Sequence, residues 1–310
     1  MKKIKKYIFM IIIILIIFPS CKAKTPLEAI ERGRLQDLKG FYKQGDNLKE
    51  IIHKDNTFLI YAIKNNFDDI ALWIIRNKIN DINKTDSMEN TPIMIAYENN
   101  REIIFNELLK QKAKLNTYNF NGLNLISIIA KNGDYKNFEK LVKKYKVKIN
   151  FKLSDGLYEG YSIVEFAVSG GNLKILKHLK KRRFRIKSSS MLVAAEKGHI
   201  EMMTYLESLG IKMNSRNKEG WTTLMSAAKS GKEDAVMLIL GYGANVNAKT
   251  NSKWTALMSA VMSKNIEIVK ILVEAGAKIN QKNNNGKNSI EIAIEEDSKD
   301  IANYLKGKIK

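Results

Sequence analysis

The side chains best equipped for chemistry are few and scattered. His53, His178 and His199 lie too far apart for metal-ligand spacing, and Cys21 is the only thiol in 310 residues. Asp68-Asp69 and Glu295-Glu296-Asp297 bring carboxylates together, as an acid–base couple would require. Both stretches read more simply as solvated helix residues. No Gly-rich phosphate loop, dinucleotide fingerprint or zinc-type spacing occurs. The expectation is a chain that is not an enzyme, with no catalytic residue, no metal and no cofactor. A single cysteine also excludes an intrachain disulfide.

The elements that would position any surface group follow from a repeat. Ala194, Ala227, Ala260 and Ala293 are 33 residues apart, as are Trp221 and Trp254, Gly243 and Gly276, and Asn247 and Asn280. Extending the register backwards finds Ala167, Ile129, Ala96, Ala62 and Ala29, so eight steps averaging 33 residues join Ala29 to Ala293. Self-similarity at this period marks stacked repeats, here nine units. An apolar content of 45% and only three prolines suit many uninterrupted helices.

Each unit has a local logic. In Gly220-Trp221-Thr222-Thr223-Leu224-Met225-Ser226-Ala227-Ala228, Gly220 permits a turn, Thr222 can cap a helix, and Ala227 lets neighbouring helices approach closely. Gly231 suits a left-handed helix end, and Asn66 and Asn100 take that place elsewhere. Ala235, Val236, Leu238 and Ile239, repeated as Ile268, Val269, Ile271 and Leu272, form the apolar stripe of a second helix. Gly243-Ala244-Asn245-Val246-Asn247 ends that helix.

These units resemble ankyrin repeats from Thr25 to about Tyr304, most strongly from Met191 to Lys282. Thr91-Pro92-Ile93-Met94-Ile95-Ala96 is the nearest match to the first-helix motif. The usual histidine of that motif is replaced by Ile60, Met94, Ser127, Glu165, Met225 and Met258. His199, after Gly198, sits where such repeats commonly carry histidine. The resemblance implies an all-α repeat fold, an ankyrin-repeat solenoid of about nine helix-turn-helix units with β-hairpin connections. At about 8–10 Å per helix layer, nine units would stack to roughly 80 Å. Atypical end units are expected, the last closed by its acidic residues.

Three spacings depart from 33, that from Ala62 to Ala96 by a single residue. Ile129 to Ala167 is five residues longer, placing residues 151–160 in an enlarged loop. Ala167 to Ala194 is six shorter, removing most of a hairpin around Lys187-Ser188-Ser189-Ser190. Insertions on one face of a solenoid often mark a binding region, and neutral loop drift has the same signature. The region is also the most basic: residues 131–187 carry 16 lysines and arginines against 5 carboxylates. Lys143, Lys144, Lys146 and Lys148 follow one second helix, and Lys180, Lys181, Arg182, Arg183 and Arg185 follow the next. Stacking should merge them into one patch for an anionic partner such as lipid headgroups, an acidic protein or a surface polysaccharide, although helix-dipole preference alone would also place cations there. Nucleic acid fits poorly, since no stacking aromatics or groove-reading motif accompany the lysines.

The N-terminus reads as an export signal. Lys2, Lys3, Lys5 and Lys6 precede an apolar run from Ile8 to Phe18, too short for a comfortable bilayer span of about 20 residues. Phe18-Pro19-Ser20-Cys21 follows and resembles a bacterial lipoprotein signal, which implies diacylation of Cys21. An ordinary signal, or a short uncleaved anchor, is the alternative. The resulting plan is residues 1–20 signal, 21–24 anchor segment and 25–310 repeat domain. Three residues from Cys21 to Thr25 would reach at most about 11 Å, so the first turn would sit against a bilayer.

The family resemblance implies partner binding by hairpin tips and the first-helix face. By position, Tyr161, Trp221 and Trp254 become candidate aromatic anchors, with Lys229, Met258 and Met262 on the adjoining face. The expected function is a membrane-tethered scaffold for an unidentified protein in the cell envelope, periplasmic or surface-exposed. The alternative is a structural envelope protein that lays its basic patch on anionic lipid or polymer.

Overall fold

The computed structural model describes residues 22–48, 52–53, 56–151, 158 and 160–309. The signal segment 1–20, Cys21, and residues 152–157 and 159 of the enlarged loop lie outside the described residues. The chain forms two compact units, Met1–Leu125 and Ile126–Lys310.

Among the described residues the first unit holds three helix pairs: α1 (Pro26–Glu31) with α2 (Leu35–Lys43), α3 (Phe58–Lys64) with α4 (Asp68–Arg76), and α5 (Pro92–Glu98) with α6 (Glu102–Lys110). Helix α3 packs on α5, and α4 on α6. The next pair, α7 (Leu125–Lys131) with α8 (Tyr135–Lys143), opens the second unit. It is followed by α9 (Ile163–Ser169) with α10 (Leu173–Lys181), and α11 (Ser189–Lys197) with α12 (Ile200–Ser208). Then come α13 (Thr223–Lys229) with α14 (Glu233–Gly241), α15 (Ala256–Met262) with α16 (Ile266–Glu274), and α17 (Ser289–Glu295) with α18 (Lys299–Lys308). First helices stack in the order α9, α11, α13, α15, α17, and second helices α12, α14, α16, α18 lean on one another in the same way.

Small side chains explain the stacking. All nine register positions, from Ala29 through Ile129 to Ala293, are fully buried. Their neighbours supply the core: Ala235, Val236 and Ile239 on α14, and Ile268, Val269 and Leu272 on α16, are fully buried. Leu238 and Ile271, expected to face inward with them, are only half-buried at the rim of the stripe.

Helix starts are capped by side chains. The hydroxyls of Thr25, Thr57, Thr222 and Thr255 each accept the backbone N–H three residues on, and Asn288 caps α17. Each such cap contributes about 1 kcal/mol. Between the two helices of every pair one residue turns left-handed: Gly33, Asn66, Asn100, Gly133, Gly171, Gly198, Gly231, Lys264 and Asp297. Lys264 and Asp297 take this conformation without glycine's freedom. Packing begins slightly before Thr25: Ala23 is buried and its N–H donates to Asp37 Oδ2 at 2.8 Å.

The connections correct one expectation. Hairpin-shaped connectors are present, but among the described residues strands are confined to β1 (Ile52–His53) with β2 (Asn56–Thr57); elsewhere pairing is limited to isolated bridges, such as that from Arg216 to Thr222. The reason is local. Asp86, Asn119, Asn217 and Asn283 each accept, through Oδ1, the backbone N–H four residues on, and Thr250 Oγ1 does the same. A side chain thus closes the turn where a ladder would need a longer strand. Among the described residues no helix is long and apolar enough to cross a membrane.

Candidate functional site: aromatic and basic surfaces of the second unit

The aromatic positions are built on the first helices. The backbone N–H of Trp221 is held by Asn217, and its indole N–H donates to Ser226 Oγ at 3.0 Å. Trp254 repeats this arrangement with Thr250 and with Ser259 Oγ, also 3.0 Å. Each indole is thereby pinned along its own first helix, half-exposed, with its polar atom already satisfied. The exposed ammonium of Lys229 lies 5.6 Å from the Trp221 ring centroid, within cation–π range. Met262, the last residue of α15, is exposed.

Met258 is a correction. It was expected on the partner-facing surface, yet it is fully buried. It occupies the third position of α15, where its N–H donates to the capping Thr255 and its side chain points into the stack. Tyr161 is largely occupied as well, packing with Tyr158 and Phe166 at ring separations of 5.5 Å each. Burial raises the pKa of its hydroxyl, with Glu196 and Glu165 adding to the effect. Tyr158, not Tyr161, presents its ring to a cation: Lys131 Nζ lies 2.6 Å from its hydroxyl and 4.9 Å from its ring centroid.

Reading by residue type missed Ser226, Ser259, Lys131 and Tyr158. The two serines were legible, being 33 residues apart like the tryptophans they hold. Phe120 in the first unit was also missed; at 72% exposure, it sits on a connector tip.

The nine candidate cations of the basic stretch are all exposed. Helices α8 and α10 touch, and an open cleft lined by Lys148, Arg182, Val147, Ile149 and Phe184 brings the two cationic runs together. Among the described residues only Lys143 of the nine forms an ion pair, with Glu139 at 2.7 Å. That bond, followed by the Tyr135 hydroxyl, lowers the Glu139 pKa.

His178 lies between these runs against Phe138 and Tyr135, with ring separations of 5.7 and 6.5 Å. Its Nε2 is buried and meets no hydrogen-bond partner among the described residues. Burial lowers its pKa, and Arg182, Lys143 and Lys181 lower it further against the opposing pull of Glu139. The unfolded chain therefore binds this proton more readily. The stabilisation is complete above about pH 6.5 and is lost as pH falls through that value toward the lower folded one. His178→Phe should lose less melting temperature than the natural chain between about pH 7 and pH 5. Equal losses in the two would show that the imidazole carries no part of the pH dependence.

His199 has a structural role: its Nε2 donates to the Ser169 carbonyl at 2.9 Å, joining α12's start to the preceding pair. Asp68 faces Arg101, Glu296 faces Lys264 and Glu295 faces Lys287, so the carboxylate clusters are ion-paired surface groups. No group of histidine, cysteine and carboxylate side chains suited to a metal occurs among the described residues.

Comparison with known proteins completes the site. A family model described as ankyrin repeats (3 copies) matches residues 27–119, 164–250, 191–283 and 250–309. The pair α7–α8 falls between the matched segments and has the same architecture. The chain is 26% identical over 137 residues to alpha-latrotoxin-Lg1a of Latrodectus geometricus, covering 44% of this chain and 10% of the toxin. It is 34% identical over 120 residues to ATP synthase subunit delta of Wigglesworthia glossinidia brevipalpis, covering 36% of this chain and 57% of that subunit. In both cases it spans less than two thirds of the relative.

Proposed function

This chain belongs to the ankyrin-repeat family, and on that premise we propose that it is a protein-binding scaffold held at a membrane of the cell envelope. The partner lies against the first helices of the second unit, anchored by Trp221 and Trp254 and flanked by Tyr161, Lys229 and Met262. The observation that carries this reading is the paired fixing of the two indoles by Ser226 and Ser259. Rigid, pre-positioned aromatics lose little entropy on binding and often dominate interface energy. No catalytic role is assigned to any residue.

A photo-crosslinking residue at position 262 tests the surface in cells. The captured partner is expected to vanish in Trp221→Ala/Trp254→Ala, whose circular dichroism stays unchanged. Capture that survives in that variant would exclude the indoles as anchors.

Membrane attachment, in this reading, comes from diacylated Cys21 after removal of residues 1–20. Because Ala23 is already packed on Asp37, only Lys22 separates the anchor from the fold, a reach of about 7 Å. Mass spectrometry of a detergent extract should find Cys21 acylated and N-terminal; an intact Met1 would remove the anchor.

The exposed and mostly unpaired cations support a second reading, in which the basic patch of residues 131–187 rests on anionic lipid or polymer. Neutralising Lys144, Lys146, Arg182 and Arg183 would then abolish salt-sensitive binding to anionic vesicles and leave capture at position 262 untouched.

A further inference from the structure

We propose that the second unit carries a docking notch for an extended acidic segment of a partner protein, at the place where one connector is cut short. This rests on the reading of the chain as a protein-binding scaffold, but it uses a different surface from the tryptophans. Helices α10 and α11 are joined by residues 182–188 alone, whereas residues 144–162 and 209–222 connect the neighbouring pairs. The loss of a hairpin leaves a cleft on each side of the short connector. One is floored by Val147, Ile149 and Phe184 and edged by Lys148 and Arg182. The other runs from Ser188 past Ile211 to Lys212, Asn214 and Arg216.

A missing neighbour also shows in the backbone. Where two full connectors are adjacent, one backbone-to-backbone bond joins their tips: Asn251 N–H donates to the Glu219 carbonyl at 2.9 Å, and Asn284 N–H to that of Ser252 at 3.0 Å. Phe120 N–H and the Met88 carbonyl repeat this in the first unit, at 3.0 Å. Lys218 holds the equivalent position in the connector that follows the shortened one, and its N–H makes no backbone hydrogen bond to a described residue. This connector therefore presents a free edge of the kind an added extended segment completes.

Charge selects the occupant. Residues 144–150, 182–188 and 209–222 contain three, four and three cations, and Glu219 is the single carboxylate among them. Lys148, Arg182, Lys212 and Arg216 are exposed at the cleft edges. An extended chain with acidic side chains alternating with apolar ones meets the apolar floor of the first cleft, the cationic edges of both and the free N–H together. A bilayer surface meets only the outermost charges.

The test uses the full-length chain in detergent and a short fluorescein-labelled peptide of alternating glutamate and valine, read by anisotropy. Lys212→Glu/Arg216→Glu is expected to weaken binding by about tenfold or more. Inserting a second copy of residues 247–252 between Ile186 and Lys187 should weaken it equally, because it fills the notch and removes no cation. Trp221→Ala/Trp254→Ala should leave peptide binding unchanged. The Lys218 amide should exchange more slowly with peptide present, which decides the matter even if the insertion disturbs folding. Unchanged affinity in the filled variant, together with an unprotected Lys218 amide, would reduce the effect to non-specific polycation binding and overturn the proposal. Binding to phosphatidylglycerol vesicles with none to the peptide would overturn it in favour of a membrane. Capture at position 262 is read separately, so the notch and the tryptophan surface can fail independently.

Discussion

Phe138→Ala is expected to destabilise the second unit by about 3–5 kcal/mol, the range for removing a fully buried phenylalanine from a core. The ring is fully buried on α8 and meets His178 of α10 edge-on at 5.7 Å. In a repeat array each pair is stabilised chiefly by its neighbours, so a cavity here weakens both pairs it joins. Urea unfolding followed by circular dichroism measures the loss. Tryptophan emission in a Trp73→Phe background follows Trp221 and Trp254 and shows whether the later pairs unfold in the same step. A cost below about 1 kcal/mol would mean that α8 and α10 are not packed through this ring.

Gly170→Ala should be costly for a different reason. Gly170 has an ordinary backbone conformation, with φ −78°, so conformational freedom is not at issue. A Cβ built there would lie 2.2 Å from the Ala130 carbonyl oxygen and 2.7 Å from Gly133 N. Both obstacles are backbone, so the neighbouring pair would have to move. A loss of roughly 1–3 kcal/mol is expected, as for overpacked cores. Gly241→Ala is the matched control, since nothing lies within 4 Å of its built Cβ. That change should stabilise the chain by about 0.4–1 kcal/mol through the unfolded state. Opposite signs for the two in thermal unfolding are the expected result, and equal signs would refute the close contact at Gly170.

The candidate surfaces were partly legible in the sequence. Their positions followed from the 33-residue step, because a strict repeat sends equivalent residues to equivalent places. Trp221 and Trp254 do occupy the same place over their helices, and the cationic runs do meet across α8 and α10. Exposure was not legible in the same way. Met258 and Met262 have the same side chain four residues apart on one helix, yet one is fully buried and the other 43% exposed.

What the residues determined alone is local and cumulative. Side-chain size at nine register positions set the stacking, Thr and Asn set the helix starts, and glycine marked most left-handed turns. These depend on a residue's own shape and on partners three or four positions away. Tertiary structure alone decided which groups remain available. The free Lys218 N–H depends on a connector that never formed, and His178 packs edge-on against Phe138, forty residues upstream. Lys264 and Asp297 turn left-handed without glycine because the helices on either side fix them there. Such outcomes rest on contacts between distant segments, so residue type and spacing do not encode them locally.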